Sequence, residues 1–337
     1  MTEMTVLNGV AIEELLTIPM AVEAVEQAYL EKSKGDAALW PMVFHEFDPG
    51  HADLDIKSGD LGGLGFYGLK VVSWFGANPG KGLPALYGTS LLFDLATGAP
   101  RALLNAGPIT DFRTGAAGAI GAKYLARPDA ETLLMAGTGA LAPYLIAAAL
   151  YLLPQIKTVY VTNPHHPECS AAACEAITPQ VEKLLSGCGG CHAAIAAAPD
   201  LEKAVRHSDV ILTATPAREP FIKAEWVQPG THISCVGADM PGKQEVDSAL
   251  FASAKVFGDD TAQCLSVGEC EVPYKAGVFS GHICEIGGVI SGAEAGRTDA
   301  SDITIFDSTG IALQDIATAA ALLQAAQETG KGQTVTL

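Results

Sequence analysis

The chain has 337 residues, too many for one compact core and too few for three, which sets an expectation of two domains. Its 49% hydrophobic and 17% charged residues are those of a soluble globular protein, and no apolar run reaches the roughly 18 residues of a membrane span. The formal charge of -18 argues against DNA, RNA or any other polyphosphate partner, and an anionic substrate would need a few local cations to overcome it.

The opening segment Met1 to Val10 lacks the basic start and apolar stretch of a secretory signal, so a cytoplasmic location is expected. The eight cysteines then read as reduced thiols rather than a disulfide framework. Cys188-Gly-Gly-Cys191, with His192 beside it, could be half of a zinc site. No second pair stands at a suitable spacing, so a Gly-rich turn is expected there and no metal.

In chain order, a helical pattern covers Ala11 to Lys34. Short strand-like runs follow, among them Gly68 to Ser73 and Gly88 to Asp94, separated by turns rich in Gly, Pro and Asn. From Glu131 the pattern changes to apolar strands alternating with helices, which is how a parallel βαβ sheet reads. Strands are expected at Leu133 to Ala136, Lys157 to Thr162, Asp209 to Thr213, His232 to Val236 and Ile303 to Phe306. A helix rich in Ala and Gln closes the pattern and is expected to return to the first domain. The change near Arg127-Pro128 marks the boundary: residues 1–126 and 310–337 form an α+β domain, and 127–309 an α/β nucleotide domain.

Gly137-Thr-Gly139-Ala-Leu-Ala142 follows an apolar strand and opens a helix. In that context Gly137 makes the tight turn, Gly139 lets a pyrophosphate approach the backbone and Ala142 allows close helix packing, while the helix N-terminus offers N–H groups to phosphates. An acidic residue at the end of the second strand would hydrogen-bond the ribose hydroxyls of NAD. Here Thr162 and Asn163 stand in its place, so NADP is admissible and the cofactor is read as NAD(P) with a slight lean to NADP.

Three further stretches carry a resemblance to a known family. They are Ile109-Thr-Asp-Phe-Arg113-Thr-Gly-Ala116 with Ala122 to Arg127, Val236-Gly-Ala-Asp239-Met-Pro-Gly-Lys243-Gln-Glu245, and Phe306-Asp-Ser-Thr-Gly310. Together with Gly68-Leu-Lys70 and Asn78 to Pro84, they make the chain resemble the ornithine cyclodeaminase/mu-crystallin family. The resemblance implies a Rossmann-type NAD(P)-binding domain plus an α+β substrate-binding and dimerisation domain, in a homodimer. It also implies that Lys70 and Arg113 hold a substrate carboxylate next to the nicotinamide and that Asp239 is the acid/base at the reacting nitrogen. Arg binds a carboxylate through two parallel charge-assisted bonds and Lys adds a point charge. The cofactor is expected against Arg113, Thr114, Gly137, Thr138, Gly139, Ala140, Leu141, Asn163, Thr213, Ala214, Thr215, Val236, Gly237, Thr309 and Gly310.

The departures from the family pattern bear on the substrate. Met42 stands after Pro41, where ornithine cyclodeaminases carry a clamp Arg, and Leu141 stands where the family often has Gln. If Asp55 takes the place of the family's Glu, Lys57 lies one pleat further along the same face, because side chains alternate along a strand. A cation there repels the distal ammonium of ornithine and attracts a distal carboxylate. His45 is a further candidate donor to a carboxylate. The expectation is an imino-acid reductase or amino-acid dehydrogenase for a small substrate, iminosuccinate among the candidates. A redox-neutral cyclodeaminase and a non-catalytic nucleotide-binding protein of the crystallin type are the alternatives.

Overall fold

The computed structural model describes residues 2–188 and 193–337. The chain forms two compact units, residues 1–113 with 311–337, and residues 114–310. No helix among the described residues is long and apolar enough to cross a membrane.

The first unit is built on one mixed sheet. Its strands run in the order Gln333–Thr336, Glu3–Leu7, Pro100–Asn105, Leu86–Asp94, Phe66–Phe75, Ala52–Leu61 and Ala37–Leu39, with Val43–Asp48 also paired to Ala52–Leu61. All pairings are antiparallel except that of Glu3–Leu7 with Pro100–Asn105. The strand Gln333–Thr336 was not foreseen in the sequence.

Two helices cover one face of this sheet. Ile18–Lys34 starts at Thr17, whose hydroxyl accepts from the Met20 N–H, and stops at Gly35 in the left-handed region. Such a cap satisfies end groups the helix cannot pair itself. The second helix, Ala312–Thr329, packs on Ile18–Lys34 and on the central strands. Gly59 and Gly68 sit opposite each other in the sheet, and a Cβ on either would come within 3.1 Å of Leu313 or 3.3 Å of Ile316. The missing side chains bring this helix down onto the strands.

The second unit is a parallel sheet in the order Ala194–Ala197, Thr158–Thr162, Thr132–Ala136, Val210–Thr213, His232–Cys235, Thr304–Asp307, Lys255–Gly258 and Cys284–Glu285. Each strand expected from the sequence is present; Ala194–Ala197, Lys255–Gly258 and Cys284–Glu285 are additional. The order reverses between Thr132–Ala136 and Val210–Thr213, and the carboxyl end of that switch point is where doubly wound sheets take a nucleotide. The helix Ala142–Leu152 is buried on nearly every side, as its run of Ala, Leu and Ile requires.

The boundary between the units differs from the one expected near Arg127. It falls inside the helix Ala106–Leu125, between Arg113 and Thr114. Gly115 and Gly118 press on Tyr144 and Leu145, and Gly121 on Phe306, so this half of the helix belongs to the second unit. The pattern change at Arg127 marks the start of the parallel sheet, not the edge of the compact unit.

Candidate active site

At the switch point of the second unit, the turn after Thr132–Ala136 has the form a dinucleotide needs. Gly137 has φ 128°, and a Cβ there would lie 2.5 Å from the Ala214 carbonyl, so only glycine fits. Around Gly139 nothing lies within 4 Å of the position a Cβ would take, which leaves room for a phosphate against the backbone. Gly139 and Ala140 are exposed, Leu141 half-buried, and the helix Ala142–Leu152 begins directly behind them. These residues fit a nicotinamide dinucleotide.

Asn163 has a definite job. Its Nδ2 donates to Thr138 Oγ1 at 3.0 Å, and its Oδ1 accepts from the backbone N–H groups of His165 and His166 at 3.1 and 2.9 Å. It ties the end of the second strand to the glycine turn, and no carboxylate stands there to repel a 2′-phosphate.

The loops after Val210–Thr213 and His232–Cys235 are latched by one buried acid. Glu245 accepts from Thr213 Oγ1 (2.6 Å), the Thr215 N–H (2.7 Å), Thr215 Oγ1 (2.8 Å) and the Gly237 N–H (2.9 Å). Burial raises its pKa, and these four donors oppose the rise. Of the residues expected along the cofactor, Thr213, Thr215 and Gly237 are therefore held by an acid that was not expected in the site, with Ala214 and Val236 carried between and beside them. Thr309 and Gly310 are held likewise, by Asp259, which accepts from Thr309 Oγ1 at 2.7 Å and the Gly310 N–H at 3.0 Å.

Two more buried carboxylates lie below. Glu269 Oε1 accepts the N–H groups of Glu245 and Val246 at 2.8 and 2.7 Å, and burial followed by the Glu245 charge pushes its pKa well up. Asp307 accepts from the Cys270 N–H at 3.0 Å; burial, with Asp259 nearby, pushes its pKa up to about 7. Between the ordinary value of 3.8 and about 7, the folded state keeps this proton while the unfolded state has lost it. Stability from this group is thus full below pH ~4, falls as pH rises to ~7 and is level above. Asp307→Asn is expected to be more stable than the parent at pH 8, by on the order of 3 kcal/mol, with the gap closing towards pH 4. Urea denaturation at both pH values checks this, and a gap independent of pH would rule it out.

In the first unit, Lys57 and Lys70 are direct cross-strand partners, so both side chains stand on the helix-covered face of the sheet. Lys70 is buried and Lys57 half-buried. Two like charges in register are unfavourable unless something offsets them, and Asp315 on the helix Ala312–Thr329 does so. Lys70 Nζ lies 3.0 Å from Asp315 Oδ1 and 2.9 Å from Oδ2, and Arg113 Nε lies 3.2 Å from Oδ1. Arg113 Nη1 donates to Gln314 Oε1 at 3.0 Å, and Gln314 Nε2 donates to the Tyr29 hydroxyl at 2.8 Å. Burial brings the Lys70 pKa down to about 8, with Asp315 opposing and Arg113 and Lys57 adding to the fall. Burial works to raise the pKa of Asp315, but Arg113 and then Lys70 hold it below the ordinary carboxylate value.

The chain that carries the cation cluster in one unit and the glycine turn in the other is similar to known proteins along nearly its whole length. The model of the ornithine cyclodeaminase/mu-crystallin family covers residues 2–330. The chain belongs to that family. Among solved structures, an archaeal alanine dehydrogenase dimer with bound NAD is 36% identical with a TM-score of 0.86, over 99% of this chain and 99% of that one. The iminosuccinate reductase of Paracoccus denitrificans in complex with NAD+ is 32% identical with a TM-score of 0.88, covering 99% and 100%. The Δ1-pyrroline-2-carboxylate reductase of Thermococcus litoralis, in complex with NADH and L-proline, is 31% identical with a TM-score of 0.86, covering 98% and 100%.

For this family member the remaining candidates divide. Asp239 is exposed on the loop after His232–Cys235 and forms an ion pair with Lys243. Thr114 is buried in the helix beside Arg113. His45 does not join the cation cluster. It pairs with Leu54, and since Leu54 and Asp55 point to opposite faces, His45 stands on the face away from Lys57 and Lys70, exposed and edge-on to Phe47. Of the Cys188-Gly-Gly-Cys191 and His192 segment, residues 189–192 lie outside the described residues. Among the described residues no group of three or more His, Cys, Asp or Glu could hold a metal ion. Sequence reasoning missed Asp315, Gln314, Asp259, Glu269 and the role of Glu245. The available signal was an acid inside an apolar helix, Ala312-Leu-Gln-Asp315-Ile, since buried acids require partners.

Proposed function

We propose that the protein is an NAD(P)H-dependent imino-acid reductase, working in reverse as an amino-acid dehydrogenase, on a small substrate with an α-carboxylate. A four-carbon dicarboxylic imine such as iminosuccinate is the leading candidate. The observation that carries this reading is the Lys57–Lys70 pair in register on one face with Arg113 beside it, a set of cations suited to carboxylates. The family and its solved relatives, which hold NAD or NADH, support the reaction class.

When bound, the nicotinamide supplies hydride chemistry at the α-carbon. Lys70 and Arg113 hold the α-carboxylate and so orient the carbon that reacts. Lys57 receives the distal carboxylate of a dicarboxylic substrate. Asp239 handles the proton at the substrate nitrogen, with the Lys243 side chain paired to its carboxylate. The finer choice of NADP over NAD has only the missing carboxylate at Asn163 behind it, while the solved relatives hold NAD or NADH, so both enter the test. We also propose a homodimer, with Phe47, Phe75 and Tyr87 among the exposed apolar residues a second copy would cover. The archaeal alanine dehydrogenase is itself a dimer.

The test follows NADH and NADPH absorbance with pyruvate, glyoxylate or oxaloacetate, each with ammonia, alongside proline formation from ornithine. Stoichiometric cofactor oxidation is expected, fastest with oxaloacetate. Lys57→Met should raise KM for oxaloacetate with ammonia about 10- to 100-fold, the worth of one charged hydrogen bond, and leave pyruvate nearly unaffected. Equal loss on both substrates removes Lys57 from specificity. Proline release without net cofactor change would replace the reductase reading with a cyclodeaminase.

A further inference from the structure

We propose that Asp315 is a positioning residue that fixes the charge and aim of Lys70 and so sets the upper pH limit of the reaction. The inference rests on the reading above, in which Lys70 receives the substrate carboxylate. Only the ammonium form of Lys70 can do this, and the site works against that form: burial, Arg113 and Lys57 all favour loss of the proton. What opposes them is the Asp315 carboxylate, at 2.9 and 3.0 Å from Nζ.

Asp315 is equipped to stay ionised there. It sits in the first turn of the helix Ala312–Thr329, where the helix end favours negative charge, and it is within reach of the Arg113 guanidinium at 3.2 Å. One carboxylate thus holds two cations that come from different elements, the strand Phe66–Phe75 and the helix Ala106–Leu125. It fixes the direction of Lys70 Nζ and of Arg113 Nε at once. The neighbouring Gln314 takes Arg113 Nη1 and is braced by the Tyr29 hydroxyl, which limits how the guanidinium turns.

The charged and titratable groups around this pair come from every packed element. Lys57 and Asp55 stand on the strand Ala52–Leu61, Arg113 and Asp111 on the helix Ala106–Leu125, Glu13 beside Asp111, and Tyr29 on the helix Ile18–Lys34. Asp111 is raised to about 6 by burial, against the pull of Arg113, so it is ionised before Lys70 titrates. Lys57 works against the charge on Lys70, which gives the proposal a second handle of opposite sign.

The experiment records two quantities across pH for the full-length enzyme. One is kcat/KM for the best keto acid with ammonia. The other is the titration of Lys70 itself, by carbon-13 NMR of protein labelled at lysine Cε, with the peak assigned through Lys70→Arg. In Asp315→Asn, the Lys70 titration and the alkaline limb of kcat/KM are both expected to fall by about 1 to 3 pH units. Asp315→Glu should restore much of the limb, which a purely packing role would not do. Lys57→Met, which leaves the buried pair intact and so covers a failure of Asp315→Asn to fold, should move both upward. Unmoved Lys70 titrations in these variants overturn the coupling to Asp315 and leave the functional reading standing. Shifted titrations with an unmoved alkaline limb overturn the assignment of Lys70 to the substrate, and this inference with it.

Discussion

Glu245→Ala is expected to lower the melting temperature by about 10 °C and to abolish measurable retention of the dinucleotide. The carboxylate is fully buried and accepts four hydrogen bonds, two from hydroxyls and two from backbone N–H groups, drawn from two strand-end segments. Alanine leaves those donors without their acceptor in a place that water reaches poorly, at roughly 1–3 kcal/mol for each one left unpaired. Some of that loss is recovered, because removing Glu245 relieves its repulsion of Glu269. A net cost of about 3–5 kcal/mol remains, and for a unit of this size each kcal/mol is worth roughly 2–4 °C. Cofactor affinity should fall further than stability, since Ala214, Thr215, Val236 and Gly237 are what the latch shapes. Thermal melts and fluorescence titration with NADH measure the two effects. A variant that melts normally and binds NADH within twofold of the parent would show that these loops hold their shape without Glu245.

Arg113→Ala is expected to lower kcat/KM by about 100- to 1000-fold, with a raised KM, while the Kd for the dinucleotide changes little. On the proposed reading, a charge-assisted contact to the substrate carboxylate is lost, worth about 3–4 kcal/mol when made away from water. Arg113→Lys should not rescue it. The guanidinium reaches Asp315 through Nε and Gln314 through Nη1 at the same time, and an ammonium cannot reproduce that planar fork. Asp315 would also lose the foremost of the three cations that keep it ionised, so some loss of stability should accompany the kinetic change. Steady-state kinetics with a separate cofactor titration distinguishes the outcomes. Unchanged kinetics would take Arg113 out of the site, and loss of cofactor binding alone would assign it to the nucleotide.

Much of the second unit was legible because its signals are local. The glycine turn lies between an apolar strand and an apolar helix within about twenty residues, and alternating strands and helices predict a parallel sheet without knowledge of any distant partner. The first unit was legible only in part. Lys70 and Arg113 were marked by the family motifs, but Asp315, 245 positions from Lys70, became part of the site only through the pairing of a distant helix with the sheet. The placement of Lys57 followed from strand alternation, yet that it stands directly opposite Lys70 depends on the register across the Gly62–Gly65 turn. His45 shows the reverse: one residue of register decides the face, and its pairing with Leu54 sends it to the wrong side. The domain edge was misjudged because a helix can change allegiance along its length without any change in composition.

The first unit is discontinuous. Residues 1–113 supply all but one strand of its sheet and the first of its two covering helices, but the second, which carries Asp315, is made only after residue 310, and Gln333–Thr336 pairs with Glu3–Leu7 later still. During synthesis from the N-terminus, the whole second unit can emerge and fold while the first still lacks its second covering helix. Lys70 and Arg113 therefore wait, without their shared counter-ion, until the segment after residue 310 has been made. On the proposed reading, the ability to hold a substrate carboxylate arises only after the second unit has been made, and a chain released before residue 311 would carry the nucleotide fold without it.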